Sequence, residues 1–441
     1  MDAMRYTPLS PSFHTGRRQE FARQLPANTV AIIDTNPELV RSRDVMMPFR
    51  PDSYFYYLTG IDQPGGVLVI SQREERLFIP ETDSQTRRWD GERYTQAQAQ
   101  SLSGIEGVGW LAELPAYLDK LTGEADQVLL NCAVRTTDDV AYMPGAKRAR
   151  SLRRQGVNVS SARPILAVMR MTKRPEELVQ IRRAVEITAA GLEAARDLLV
   201  VGRREYEIEA ALLAEFVRRG AVGHAWDPIV ASGPGTTVMH YVTSGRRLQA
   251  GELVLMDVGA EYGWYSADVS RVYAVGRPMT SRQREVFEVV RDVQQHVIKQ
   301  LKPGADFMEL INSSDEYMTE QLVQLAVVTR AQADAQKGQK ISYRERYGGN
   351  YYAHGFAHSH LLGLDVHDVG DHRLPLAPGM VLTCEPGIYL DDEGIGVRLE
   401  DDILITPDGN ENLTAHIPME LSETLPFRQK DSPGCDCNRG I

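Results

Sequence analysis

Asp257 and Asp268 close the two ends of the segment D-V-G-A-E-Y-G-W-Y-S-A-D. The residues around them, Leu253–Val258 on one side and 265–275 on the other, are apolar and β-branched enough for two strands, with Gly259 and Gly263 as turn formers between. A turn at Tyr262 and Gly263 would set Asp257 opposite Asp268. Directly opposed residues on one face of a hairpin have Cβ atoms about 4.5–5.5 Å apart. At about 5 Å, two carboxylates repel by roughly 3 kcal/mol for an effective dielectric near 20. Such a pair needs a cation, a shared proton or a basic partner. The alternative is a bulged turn that sends one aspartate to solvent.

More groups of the same chemical kind follow in the chain. His240 lies in M-H-Y, and the run Y-Y-A-H-G-F-A-H-S-H-L-L-G-L-D-V-H-D-V-G (351–370) carries His354, His358, His360 and His367. Glu385 precedes Pro386 and Gly387 in L-T-C-E-P-G, where the chain must turn. Glu400 sits in G-V-R-L-E-D-D, sharing a strand face with Arg398 and Asp402 by the period of two. Taken singly, each is a solvated strand end, a charged edge or a surface loop. Taken together, two Asp, two Glu and a His form a hard, oxygen-rich set with one imidazole. Four negative charges balance two divalent cations, and the set lacks the sulfur of a structural zinc site.

Two layers of elements must position these groups. Before about residue 165, short buried strands (30–33, 66–70, 76–79 and 128–130) alternate with helical segments, one of them at 111–121 with Pro115 in its first turn. This is an α/β domain with no chemical constellation of its own. Its phrase M-P-F-R-P-D-S-Y-F-Y-Y-L-T-G (47–60) is dense in aromatics and reads as a core strand, or else as a wall offered to the other domain or to a neighbouring subunit. Beyond about residue 170 the texture becomes α+β. A helix starts at Pro175 with Leu178, Ile181, Val185 and Leu192 on one face, and a second covers 205–219. A third follows the Thr280/Gln283 capping box, and a fourth runs from about Phe307. Strands at 253–258, 265–275, 380–385 and 396–406 fill the gaps. The domains expected are 1–170, 171–427 and a polar, disordered tail at 428–441, whose Cys435 and Cys437 lack partners for a metal site.

The ordered set Asp257, Asp268, histidine, Glu385, Glu400 resembles the dinuclear site of the pita-bread metallopeptidases. Within that group the phrases F-R-P-D-S-Y-F-Y-Y-L-T-G, H-L-L-G-L-D-V-H-D-V-G, E-P-G-I-Y, G-V-R-L-E-D-D-I and N-E-N-L-T are most similar to bacterial aminopeptidase P, over roughly residues 15–425. The resemblance implies a pita-bread catalytic domain, release of an N-terminal residue that precedes proline, two divalent ions (usually manganese), and a cytoplasmic homotetramer or dimer. It also implies roles. Asp257 would bind one ion, Asp268 and Glu400 would bridge both, and the metal histidine with Glu385 would complete the coordination of the second ion. Glu385 would also accept and shuttle the proton. His240 and His367 would donate to the substrate carbonyl, and Arg398 would orient the carboxylates. His354 is counted with the catalytic group, and Tyr389 and Arg373 with the substrate pocket.

The histidine run departs from the family pattern by two inserted residues. Family members place the ligand histidine four residues after another histidine, three before a glycine and seven before a downstream histidine. His354 and His358 keep the first spacing, whereas His360 keeps the other two, with Gly363 and His367. His360 is therefore the expected ligand and His358 the alternative. They lie about 6.6 Å apart along an extended chain, so they cannot exchange without a register shift.

Composition narrows the partners. The net charge of −11 disfavours nucleic acid, and no apolar run approaches the roughly 20 residues of a membrane span. The first residues lack the apolar core of a signal peptide, and four cysteines give no disulfide framework, so a cytoplasmic setting is expected. Two readings compete with a Xaa-Pro aminopeptidase: prolidase, which takes only dipeptides, and a non-catalytic peptide-binding module on the same fold.

Overall fold

The computed structural model describes residues 4–132, 144–335 and 351–419; the tail at 428–441 lies outside them. The N-terminal part is built on a mixed six-stranded sheet in the order Val108–Trp110, Glu75–Ile79, Val67–Ile70, Thr29–Asp34, Gln127–Leu130, Val159–Ser161. Thr29–Asp34 is central, antiparallel to Val67–Ile70 and parallel to Gln127–Leu130. Apolar clusters with helices lie on both faces, which is why the inner strands Thr29–Asp34 and Val67–Ile70 are buried along their whole length.

The aromatic phrase at 47–60 is not a strand. It forms the helix Ser53–Thr59, with the Asp52 carboxylate accepting from the backbone N–H groups of Tyr54 (3.0 Å) and Phe55 (2.9 Å). Gly60 ends the helix in the left-handed region at φ +68°. Cap signals at both ends outweigh the β preference of Tyr and Phe. Tyr54, Phe55, Tyr56 and Tyr57 point to every side of the helix and are all buried, as in a helix surrounded by protein. One side meets the rest of the molecule: the Tyr56 ring lies 6.3 Å from that of Trp264. The phrase is a wall against the second half of the chain.

That second half holds the helices Pro175–Arg196, Glu205–Arg218, Ser281–Ile298 and Phe307–Gln324. The capping box at Thr280 is present, with Gln283 N–H to Thr280 Oγ1 at 3.2 Å and Thr280 N–H to Gln283 Oε1 at 2.9 Å. The helices back onto four three-stranded sheets made from two long, twice-used ribbons. In the first ribbon Leu253–Val258 pairs with Val269–Ala274, and Ala260–Tyr262 with Tyr265–Ser266. In the second, Val381–Cys384 pairs with Asp401–Thr406, and Gly387–Leu390 with Ile395–Arg398. Each ribbon keeps one register throughout but passes from one sheet to another midway.

The register of the first ribbon differs from the expected one. Gly263 (φ +57°) and Trp264 (φ +68°) are both left-handed, so the two-residue turn is of type I′ and sits one residue later than Tyr262 and Gly263. Asp257 consequently faces Ser270, not Asp268. Asp268 falls opposite Gly259, in the gap between the two paired segments.

Candidate metal centre

Three of the four carboxylates sit where a ribbon changes sheets. Asp268 follows the break after Ser266, Glu385 follows Cys384, and Glu400 precedes Asp401. In the second ribbon Cys384 faces Asp401 and Gly387 faces Arg398, which puts Glu385 opposite Glu400. Pro386 has no N–H to continue the ladder there. In the first ribbon Gly259 lets the strands close: a Cβ on it would lie 1.8 Å from the Ala267 carbonyl oxygen. The face-to-face carboxylate pair that the sequence suggested for the aspartates is formed by the glutamates.

His360 joins this group. Its Nε2 lies 3.5 Å from Asp268 Oδ2 and 3.5 Å from Glu385 Oε1. Asp268, His360 and Glu400 each offer a ligand atom within 4.8 Å of the others. Thr383 ties the parts together, accepting from the His360 N–H at 3.1 Å and donating to Glu385 Oε1 at 3.1 Å. On the other ring nitrogen, His360 Nδ1 is 3.0 Å from the Leu361 carbonyl oxygen, which as acceptor would leave Nε2 bare for a cation. His358 lies elsewhere: it is exposed on the cavity wall, and its Nε2 bonds the Tyr352 hydroxyl.

Arg398 is the cationic counterweight. Its Nη2 donates to Asp257 Oδ2, its Nε to Ser270 Oγ (2.9 Å) and its Nη1 to the Tyr389 hydroxyl (2.9 Å). Ser270 in turn donates to Glu400 Oε2 at 2.8 Å. One guanidinium therefore does not suffice for the charge present. Burial, and next the neighbouring Glu400, push Asp268 and Glu385 well above the usual carboxylate range. Burial and then Asp257 push Glu400 up to about 7. Asp257 Oδ1, Asp268 Oδ1 and Glu400 Oε1 are buried without a hydrogen-bond partner among the described residues. An acceptor-only oxygen left so is costly unless a cation meets it. The donor set fits divalent ions with oxygen and imidazole ligands.

The centre opens into a cavity of about 550 Å³. His240, His358 and His367 line it beside His360, and the His367 ring stands edge-on to His360 with centroids 4.4 Å apart. Burial, then His360 and His240, hold His367 below the usual histidine range. Three expected site residues are not on the cavity wall. Tyr389 is buried behind Arg398, and its hydroxyl supports that guanidinium. His354 is fully buried, stacked on Tyr389 at 5.9 Å, with neither ring nitrogen partnered among the described residues. Arg373 is 90% exposed and paired with Asp371 at 2.7 Å. Its place in a polar turn two residues from an acid explains this. Trp226, Asp227, Met239 and Val242 also line the cavity, yet nothing in their sequence spacing singled them out. Ser270 and Thr383 were missed too, although both alternate with site residues on their strands.

With this geometry in hand, comparison with known proteins is decisive. The family model for metallopeptidase family M24 matches residues 179–407, more than half of the chain. The chain belongs to metallopeptidase family M24. The aminopeptidase P N-terminal domain matches residues 14–130. The Xaa-Pro aminopeptidase of Escherichia coli K12 is 33% identical over 428 residues, covering 92% of this chain and 95% of that one. Structures of E. coli aminopeptidase P, one of a glutamate-to-alanine variant with substrate and one zinc-substituted with product, superpose with TM-score 0.82 at 32% identity. They cover 93% of this chain and 96% of theirs. This family M24 member therefore carries an aminopeptidase P-type N-terminal domain and a pita-bread catalytic domain.

Proposed function

We infer that the chain is a metal-dependent aminopeptidase that releases the N-terminal residue from peptides with proline second. The observation that carries this is the convergence of four carboxylates and one imidazole at the floor of an open cavity, in a family M24 chain similar over nearly its whole length to Xaa-Pro aminopeptidases. Asp257, Asp268, His360, Glu385 and Glu400 would hold two divalent cations, with manganese the metal proposed. When bound, such ions supply Lewis acidity toward the scissile carbonyl and activate water at neutral pH.

The chain's own residues then divide the work. Glu385, set opposite Glu400 by the ribbon register, takes a proton from the attacking water and passes it to the departing proline nitrogen. His240 and His367, on the cavity wall, donate to the carbonyl oxygen as it gains negative charge. Arg398 fixes Asp257 directly and Glu400 through Ser270.

Prolidase is the second reading, separated by whether the site accepts residues beyond the proline. Comparing hydrolysis of a Xaa-Pro dipeptide with that of a Xaa-Pro-Xaa tripeptide tests it. Cleavage of the tripeptide is expected, and cleavage of the dipeptide alone would overturn the aminopeptidase reading. A homo-oligomer, tetramer or dimer, is proposed on the strength of exposed apolar side chains at Val40, Val45, Met46 and Met47; light scattering tests it. Among the described residues no helix is long and apolar enough to cross a membrane, and the buried Cys384, a free thiol, supports a cytoplasmic setting.

A further inference from the structure

The histidine loop is gripped from outside the catalytic fold. Val366 and His367 line the cavity, and the residues that bracket them are both acids, Asp365 and Asp368. Asp368 is buried and takes Arg170 Nη2 together with Lys173 Nζ (3.0 Å). Asp365 takes the same Arg170 nitrogen at 2.8 Å, Ser53 Oγ at 2.6 Å and Arg50 Nη1 at 3.5 Å. Arg50 also donates through Nη2 to the Leu364 carbonyl and through Nε to Glu261 at 2.8 Å. Arg170 is itself fixed, fully buried with its guanidinium 4.8 Å from the Tyr54 ring centroid.

The donors thus come from the start of the aromatic helix (Arg50, Ser53) and from the segment that leads into the catalytic half (Arg170, Lys173). Burying such charges rarely adds net stability, because desolvation offsets the attraction. What the arrangement does supply is geometry. A loop left to itself is among the least ordered parts of a fold, whereas a hydrogen-bond donor to a developing oxyanion must be held to within a few tenths of an ångström.

We propose that Arg50 and Arg170 are positioning residues, through which the N-terminal domain clamps Asp365 and Asp368 and so holds the His367 imidazole at its station over the metal centre. This rests on the reading that His367 acts on the substrate. It gives the domain that bears no catalytic side chain a direct share in the rate.

Arg50 is the residue to test, being 36% exposed and off the cavity wall. Arg50→Met should lower kcat about tenfold with KM changed by less than about twofold, since a misplaced group costs the transition state and not substrate binding. Metal content should stay near that of the parent, while the melting temperature should fall because the buried Glu261 loses its ion pair, so kcat is read well below the transition. Ser53→Ala, which removes one of the donors to Asp365, should move kcat the same way by a smaller factor. Arg174→Met, which loses a different contact, the ion pair with Glu20 at 3.2 Å, should leave kcat unchanged. The deciding measurement is a double-mutant cycle: with His367→Ala already present, Arg50→Met should cause no further loss. Losses that multiply, with His367→Ala itself strongly impaired, would overturn the clamp and leave the role of His367 intact. Full turnover in His367→Ala would overturn that role and the clamp's effect on rate with it.

Discussion

Glu385 has two tasks in this account, ligand and proton carrier, and both need a carboxylate. Glu385→Gln keeps the side-chain volume and the bond from Thr383, so the fold should persist while turnover falls by about 10²–10⁴, the range of a lost general base. Circular dichroism and tripeptide kinetics check both halves. The histidines give a second contrast. His360→Ala should lose bound metal, because its Nε2 faces Asp268 and Glu385, while His358→Ala should keep both ions, its Nε2 being bonded to Tyr352. Full metal content in His360→Ala with loss in His358→Ala would reverse the assignment.

At the level of elements, the site depends on two ribbons that change sheets at Gly259 and Pro386. Gly259→Ala would drive a Cβ into the Ala267 carbonyl and the Trp226 ring. Strain of this kind costs about 1–3 kcal/mol or more, and it lies between Asp257 and Asp268. Reduced metal affinity should accompany a lowered melting temperature; unaltered metal binding would show that the close approach does not matter to the site. Much of this layer was legible beforehand. Helix starts at Pro175 and Thr280 follow from local chemistry, and the strand Leu253–Val258 from its composition. Two features were not. The turn fell one residue late because Trp264 adopts a left-handed conformation that glycine would be expected to take. The aromatic phrase at 47–60 became a helix because its caps, Asp52 and Gly60, decide over side-chain preference. The residue types of the candidate ligands and their order could be read directly, since metal chemistry restricts residue identity. The supporting Ser270 and Thr383, and the wall at Trp226 and Asp227, could not, because such polar or aromatic residues serve equally well on any strand end.

For the whole molecule, the metal centre links stability to pH. Glu400 is pushed up to about 7 by burial and Asp257, and Asp268 and Glu385 lie well above the usual range. In the unfolded chain these groups release their protons near pH 4. From there to about pH 7 the folded, metal-free protein holds protons that the unfolded chain has lost, so its stability falls as pH rises. The metal-free protein should melt at a higher temperature near pH 5 than near pH 7.5, and divalent metal should abolish that loss by stabilising the ionised carboxylates. Melting curves at the two pH values, with and without Mn2+, check the sign. A metal-free protein more stable near pH 7.5 would count against four crowded carboxylates.

The central claim is that five residues hold the cations on which proline-directed cleavage depends. Chelated protein titrated with Mn2+ while it acts on a Xaa-Pro-Xaa tripeptide tests this most directly. Release of the first residue should be absent without metal, rise to a plateau near two equivalents per chain, and remain absent for the matching tripeptide with alanine in second place. Turnover that survives chelation, or that treats alanine and proline alike, would contradict the account.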